Sequence, residues 1–304
     1  MENETKKTPQ KQTVAESLKK YNEQHNVHSE ENKVINTSIP KPPVFNPQEF
    51  EKTMSKETDP DLMTSYESIK LPSKGMFYSN QLSEVNVEYM TSRDEDLLTT
   101  PSLIDGGNMM NMLLKRKIKT KGVNVEDLLT GDRSAVILFL RTSSYGADYT
   151  VQVSDPRTGV PFKTTIDLLK LKYKEVTELP DQSGHFTVEL PMRKKTVTFR
   201  LLTSGEEDII FKRAEAYKEA SGNEFSEYST MKLKAHVVAI NEKTDRSYID
   251  KFIDAMPALD AVTIRRKILK VSPDVDMAYE FVTKDDYKFI AYLTIGIDFF
   301  FPNT

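Results

Sequence analysis

The sequence contains no cysteine in its 304 residues, and this absence removes several classes of chemistry at once. Disulfide bridges, thiolate zinc sites and cysteine nucleophiles are excluded. The sequence also lacks an apolar run of the roughly 18 residues that suggests a membrane-spanning helix. Its N-terminus has no apolar signal-peptide core. We therefore expect a soluble protein that is made in the cytoplasm and has no membrane partner.

An excess of positive charge is missing as well. The chain carries 42 Lys and Arg against 46 Asp and Glu, for a net charge of -4. Nucleic-acid binding usually needs a basic face that displaces counterions. Two basic groups, at 115–121 and 265–270, lack interleaved aromatic residues. We interpret them as solvated helix faces or ion-pair patches for a protein partner, and nucleic acid is not an expected partner.

Motifs of known catalytic sites are also absent. The sequence has no glycine-rich dinucleotide or phosphate loop, no nucleophile elbow and no zinc-protease helix. Acidic clusters at 94–96 and 206–208 could bind a divalent cation. The positive end of a helix dipole explains them more simply. His185 and His236 are interpreted as packing residues. We therefore predict no enzymatic activity, catalytic residue, cofactor, metal or small-molecule substrate.

The first 65 residues differ in composition from the rest. They are rich in Lys, Glu, Asn, Gln, Thr and Pro, and the prolines of 39-IPKPPVFNP-47 prevent regular structure locally. Such a segment buries too little apolar surface to offset its ordering entropy. We predict an extended N-terminal arm at 1–65. It is either a loose linker or a segment held along partner proteins, with Val44, Phe45 and Phe50 as the anchors.

A short sequence segment occurs twice in the remainder of the chain. The stretch 85-VNVEYMTSRDEDLL-98 is matched by 197-VTFRLLTSGEEDII-210 at a constant offset of 112 residues (197 - 85). Each copy is typical of a strand followed by a helix that opens with a capping box. Thr91 and Ser92 are both candidates for the first N-cap, and the predicted boxes are Ser92-x-x-Glu95 and Ser204-x-x-Glu207. Leu71-Pro72 and Leu190-Pro191 precede the two strands.

The flanking patterns also agree between the two copies. Helical patterns follow each copy, at 107–119, 124–132 and 133–146 and then at 226–240, 246–256 and 258–270. Two strand-like runs then close each half, at 148–152 and 162–168 and at 278–282 and 289–300. We infer a tandem duplication, the alternative being two unrelated but similar strand-to-helix turns. The predicted fold is α+β, with two related modules of strand, helices and terminal β-hairpin at 66–180 and 181–304.

Three consecutive aromatic residues stand near the end, in 297-IDFFFPNT-304. Phe299, Phe300 and Phe301 cannot all point inward on one strand, because side chains alternate between its faces. Large aromatic residues are common at interface centres, so these three are candidate partner-binding residues. The alternative is a core role that uses both faces of a covered sheet.

The order of several motifs resembles the baseplate hub and assembly proteins of T4-type contractile-tailed phages. The motifs are 71-LPSKGMFY-78, 85-VNVEYMT-91, 94-DEDLL-98, 131-GDRSAVILFLRTSSYGADY-149 and 299-FFFP-302. The resemblance spans about residues 67–302 and implies a non-enzymatic role in the tail. The expected role is a structural component of the virion baseplate, in its hub or wedge region, that binds several tail proteins. The alternative is a transient assembly chaperone for the hub that is absent from the mature virion.

One departure from the family concerns metal binding. Relatives often carry paired cysteines on their hairpins, as in small zinc ribbons. The corresponding tips, 153-VSDPRTGVPF-162 and 282-VTKDDYKFI-290, contain no cysteine. The resemblance therefore carries over no zinc site, and Asp155, Pro156 and Gly159 must close the first hairpin unaided.

Overall fold

The computed structural model describes residues 65–100, 109–222, 226–295 and 299–300. The described residues mix helices with small antiparallel sheets, which confirms the predicted α+β class. Residues 60–304 group into one compact unit. Of the predicted arm at 1–65, all but residue 65 lies outside the described residues. The boundaries predicted for the two modules stay a prediction.

Two series of elements follow one another along the chain. The first comprises β1 (Tyr66–Lys70), β2 (Glu84–Glu88), α1 (Ser92–Leu98), α2 (Met109–Lys117), α3 (Thr130–Tyr145), β3 (Asp148–Ser154) and β4 (Pro161–Asp167). The second comprises β5 (His185–Glu189), β6 (Thr196–Arg200), α4 (Ser204–Ser221), α5 (Tyr228–His236), β7 (Val237–Ile240), α6 (Arg246–Asp254), α7 (Ala258–Val271), β8 (Ala278–Val282) and β9 (Lys288–Tyr292). Both series thus run from a hairpin through helices to a second hairpin.

The two opening hairpins share one topology. β1 pairs antiparallel with β2, and β5 pairs antiparallel with β6. In each case the chain returns to the second strand after two helices. Val87 of β2 forms an antiparallel bridge with Ile118, and Phe199 of β6 pairs with Val237 of β7. Since 87 + 112 = 199, the two returns occur at positions that the sequence repeat equates.

Each Leu-Pro turn is held by a buried aspartate from a later helix. The amide of Ser73 donates to Asp132 of α3 at 2.9 Å. The amides of Met192 and Arg193 donate to Asp260 of α7 at 2.8 and 3.1 Å. Both aspartates are the third residue of their helix and are fully buried. The two halves therefore repeat this tertiary contact as well as the strand-to-helix sequence.

The apolar core of the described residues is divided into two clusters. The first cluster is built on residues 69–168 and also contains Phe281, Phe299 and Phe300. The second is built on residues 186–271. Phe281 lies on β8, so the hairpin of β8 and β9 packs against the first core instead of the second. Alternation explains the fit, because Phe281 and Phe289 lie opposite each other on the inner face.

Two glycines allow close approach between the two series. A Cβ at Gly131, in the first turn of α3, would lie 2.0 Å from the carbonyl oxygen of Pro273. A Cβ at Gly205, in the first turn of α4, would lie 2.7 Å from the Cβ of Glu126. Both distances are shorter than any real contact, so these positions require glycine for packing.

The structure corrects three local predictions. The helix predicted at 124–132 is a single 3-10 turn at Val125–Asp127, and residues 130–132 open α3 instead. The helix caps lie one residue earlier than predicted, at Thr91 and Thr203, and pair with Asp94 and Glu206. The helix predicted at 226–240 ends at His236. Its last four residues form β7, because they complete the sheet beside β6.

Candidate partner-binding surfaces and the buried charges beneath them

The first helix start contains a buried ion pair. The amide and hydroxyl of Thr91 donate to Oδ2 of Asp94 at 2.8 and 2.9 Å. Nζ of Lys117 lies 2.5 Å from the same oxygen, and both charged residues are at most 2% exposed. Burial acts to raise the pKa of Asp94, but the hydrogen bonds from Lys117 and Thr91 outweigh it and lower the pKa. Asp94 is therefore an ionised structural group.

At the second helix start, a different cation neutralises the acidic residue of the cap. Thr203 and Glu206 form a reciprocal capping box, with distances of 3.0 and 3.3 Å. Arg200, on β6, holds the Glu206 carboxylate with two nitrogens at 2.5 and 2.8 Å and lowers its pKa. Nδ1 of His236 lies 2.7 Å from the carbonyl oxygen of Arg200. Lys117 and His236 each directly precede the residue that pairs with the strand.

Three of the other predicted acidic residues are also engaged by protein groups. Glu95 accepts from the Tyr145 hydroxyl at 3.0 Å, Glu207 pairs with Lys232 at 3.0 Å, and Asp208 pairs with Arg133 at 3.0 Å. Within the described ranges, no three His, Cys, Asp or Glu residues are grouped so that they could hold a metal ion. The acidic clusters therefore belong to helix starts and interhelical pairs.

The predicted partner-binding residues fall into two groups. Phe299 and Phe300 are 1% and 0% exposed, so neither offers a surface to a partner. This corrects the interface interpretation of these two side chains in favour of the core role. Their rings meet edge to face at 6.0 Å, and Phe299 meets Tyr149 at 5.2 Å. Val44, Phe45, Phe50 and Phe301 lie outside the described residues.

A buried arginine that the sequence reasoning did not single out holds this aromatic segment. Nε of Arg141 donates to the carbonyl oxygen of Phe299 at 2.7 Å, and NH1 donates to that of Gly146 at 3.0 Å. The guanidinium also lies over the rings of Tyr145 and Tyr149. The sequence signal that could have identified Arg141 is its position in 140-LRTSSYG-146, between an apolar helix and a glycine cap.

The two later hairpins meet at their tips without cysteine. The Asp155 carboxylate accepts from the amide of Arg157, and its carbonyl oxygen accepts from the amide of Gly159, both at 2.8 Å. These two hydrogen bonds close the turn. Arg157 also pairs with Asp285 at 2.8 Å and lies over the ring of Tyr287 at 4.0 Å. These groups do not supply the thiolate ligands of a zinc ribbon. An arginine-centred cluster joins the tips instead.

The outward faces of these two hairpins differ in polarity. The exposed residues of β3 and β4 on that face are Asp148, Gln152, Ser154, Pro161, Lys163 and Thr165. On the hairpin of β8 and β9 the exposed face carries Val282, Ile290 and Tyr292, with an ion pair between Lys288 and Glu280 at 3.0 Å. The second hairpin therefore presents an apolar strip that the first one lacks.

Helix α4 presents a second exposed apolar set. It buries only Ser204, Gly205 and Ala214 along its length. Ile209, Phe211 and Tyr217 are exposed. The ring of Phe211 meets that of Tyr228 on α5 edge to face, with centroids 5.7 Å apart.

The predicted basic groups are partly neutralised in the structure. In the first, Lys115 pairs with Glu126 at 2.7 Å, Arg116 with Asp94 at 3.3 Å, and Lys119 with Glu88 at 3.1 Å. In the second, Lys267 pairs with Glu178. These contacts agree with the ion-pair interpretation for Lys115, Arg116, Lys119 and Lys267.

Comparison with known proteins identifies a family for this chain. Residues 63–287 match the family model described as T4 bacteriophage base plate protein. The chain belongs to this family. Searches of curated proteins and of solved structures returned no match.

Membership makes the chain a phage baseplate protein, and the role that this family implies is structural. The match covers the first series of elements and the second series up to β8, and it leaves the predicted arm almost wholly outside it. No helix in the described parts of this baseplate protein has the length and apolar character needed to cross a bilayer.

Proposed function

We propose that this protein is a structural, non-enzymatic component of the tail baseplate that binds several other tail proteins in its hub or wedge region. The family match over residues 63–287 carries the proposal. The protein stays in the virion after assembly and works by holding its partners in fixed geometry. Neither catalysis nor a cofactor is needed for that work.

Two kinds of surface support binding to more than one partner. The apolar strip of Val282, Ile290 and Tyr292 and the exposed residues of α4 are separate features on different elements. The arm at 1–65 adds a third contact, with Val44, Phe45 and Phe50 as its anchors. Large apolar side chains of this type dominate interface energetics.

A duplicated architecture supports this division of labour. We propose that modules at 66–180 and 181–304 descend from one unit and have diverged on their surfaces. The shared Leu-Pro turns, buried aspartates and returning strands support common descent. The polar and apolar hairpins are the divergent part.

Quantitative mass spectrometry of purified virions tests the role. We expect this chain at a fixed ratio to the other baseplate proteins. If it is required for tail assembly but absent from the particle, the structural role is wrong and the transient hub chaperone is the function.

Deletion of residues 1–60 tests the arm. We expect a soluble, folded remainder that enters baseplates poorly. A full-length variant with Val44, Phe45 and Phe50 replaced by serine should reproduce the defect, because it keeps the length and removes the anchors. If the truncated chain aggregates or melts far lower, the arm belongs to the core and this part of the proposal fails.

A further inference from the structure

Two adjoining cavities lie beside α5, along its length, and the C-terminal half of α7. One has a volume of about 200 Å³ and is lined mainly by apolar side chains, including Tyr228, Leu233 and Leu269. The other has a volume of about 130 Å³ and reaches the backbone at Gly131. The two share four lining residues, which are Lys232, His236, Ile268 and Leu269. A single side chain of a partner can therefore contact both.

His236 lines both cavities and carries one buried hydrogen-bond acceptor. Its Nδ1 lies 2.7 Å from a carbonyl oxygen, which only accepts, so Nδ1 carries the proton and Nε2 does not. The residue is 3% exposed, and Nε2 has no hydrogen-bond partner among the described residues. Burial lowers the pKa of His236, so the imidazole stays neutral. An unpartnered buried acceptor is costly, and a donor from a ligand would relieve it.

Lys232 and Arg265 line the apolar cavity, and these two cationic side chains disfavour a cationic ligand. Lys232 is already paired with Glu207 at 3.0 Å, so it offers no free positive charge to an anion. Arg265 lines the apolar cavity and can lie over the face of an aromatic ring. A ring that carries one neutral donor satisfies the apolar walls, the arginine and the acceptor together.

We propose that this groove receives a tyrosine side chain from another protein, with the ring in the apolar cavity and the hydroxyl donating to Nε2 of His236. A buried tyrosine hydroxyl normally finds such a partner, while its ring contributes apolar contact area. The proposal rests on the proposed baseplate role only for the identity of the partner. The groove can be tested on the purified protein, and presence in the virion is measured separately.

The test uses p-cresol, which has the ring and hydroxyl of a tyrosine side chain, and toluene, which lacks the hydroxyl. The chain has only four histidines, so selective ¹⁵N labelling gives few ring signals to assign. We expect p-cresol to shift the Nε2 signal of His236 and to bind about fivefold more tightly than toluene, as one neutral hydrogen bond predicts. Equal affinities, or no binding by p-cresol, would overturn the proposal.

A matched pair of variants on α7 tests the place of binding. Leu269 lines both cavities and is 65% exposed, whereas Leu259 is 51% exposed and lines neither. Leu269→Glu should weaken p-cresol binding at least fivefold, and Leu259→Glu should leave it unchanged. Both replacements are at exposed positions, so both variants should melt near the parent.

Two results would contradict the assignment. Unchanged p-cresol affinity in Leu269→Glu would show that the probe binds elsewhere. A dimer of this chain that dissociates in Leu269→Glu, measured by sedimentation, would identify a second copy as the occupant and overturn the assignment to a different protein.

Discussion

The two helix starts, at Thr91 and at Thr203, show how one architecture tolerates different electrostatics. Both place an acidic residue three positions into the cap motif, after a strand that pairs with a returning segment. In the first, the neutralising cation is Lys117, which is buried on that returning segment. In the second it is Arg200, about one-third exposed on the strand itself. His236, neutral and buried, takes the equivalent place of Lys117.

This difference shows that the contact between a polar side chain and the backbone of the strand can be kept without a positive charge on that side chain. What both halves keep is a polar side chain that contacts the backbone at the end of the second strand. Nζ of Lys117 donates to the carbonyl oxygen of Tyr89 at 2.9 Å, and Nδ1 of His236 contacts that of Arg200. Once Arg200 supplies the positive charge, the returning segment no longer needs one. The second half is thereby left with a free acceptor, Nε2.

Replacing Lys117 with Met should cause the greatest loss of stability. The change leaves the buried carboxylate of Asp94 without its main partner, and Arg116 remains only at 3.3 Å. Removing one partner of a buried pair typically costs about 3–5 kcal/mol. Urea unfolding should show a loss near the lower end of that range, because Arg116 compensates in part.

Arg200→Met is the matched change in the second half. Its pair with Glu206 is partly solvated, so we expect a loss of about 1 kcal/mol or less. Equal losses in the two variants would contradict the distinction between a buried and a solvated neutralising charge.

Replacing the turn-holding aspartates should give intermediate and similar losses. Asp132→Ala leaves the Ser73 amide and the Tyr78 hydroxyl without their acceptor, and Asp260→Ala leaves two amides. Each unsatisfied buried group costs about 1–3 kcal/mol, so we expect about 2 kcal/mol for each variant by calorimetry. Asp127→Ala, at an exposed position, is the control. A loss in only one half would show that the contact is not equivalent.

Replacing the cap residues should have a smaller effect. Thr91→Ala and Thr203→Ala should each lower stability by about 1 kcal/mol, since both side chains bond within the cap. Ser92→Ala should change it by less than about 0.5 kcal/mol, because Ser92 is exposed in the first turn. A larger effect at Ser92 than at Thr91 in thermal unfolding would return the cap to the predicted position.

The pH dependence should differ between the halves in its pH range, because the ordinary pKa is 3.8 for Asp94 and 6.5 for His236, although stability is lost on acidification in both. Burial lowers the pKa of His236 from 6.5, so the unfolded chain binds the proton more readily than the folded one. Stability from this residue is therefore full above pH 6.5 and falls as the pH drops below it. Unfolding at pH 7 and pH 5.5 should show a smaller difference in His236→Gln than in the parent. An unchanged difference would mean that His236 does not titrate in this range.

Local signals in the sequence were sufficient for most elements but not for their partners. The helices at 246–254 and 258–271 and the hairpin strands followed from periodicity and turn residues. β7 was missed because Val237–Ile240 continue the apolar pattern of α5, and only pairing with β6 makes them a strand. Tertiary context overrides propensity in such short runs.

The binding surfaces were less accessible to sequence reasoning. An aromatic run such as Phe299 and Phe300 has the same composition whether it is buried or exposed, and only packing decides. The groove beside His236 depends on which ring nitrogen is already bonded, which no spacing rule reveals. The polarity difference between the two hairpins, by contrast, follows from the residues that alternate along their strands. It could have been predicted from the sequence once the strands were assigned.

The assignment of Phe281, Phe299 and Phe300 to the first core has a consequence for synthesis on the ribosome. The early residues of this core must wait for aromatic side chains that are translated some 110 or more codons later. Those side chains leave the exit tunnel only after the whole second core has done so. The part of the molecule made first is thus completed last. Nascent chains arrested before codon 281 should consequently remain sensitive to protease throughout their first half.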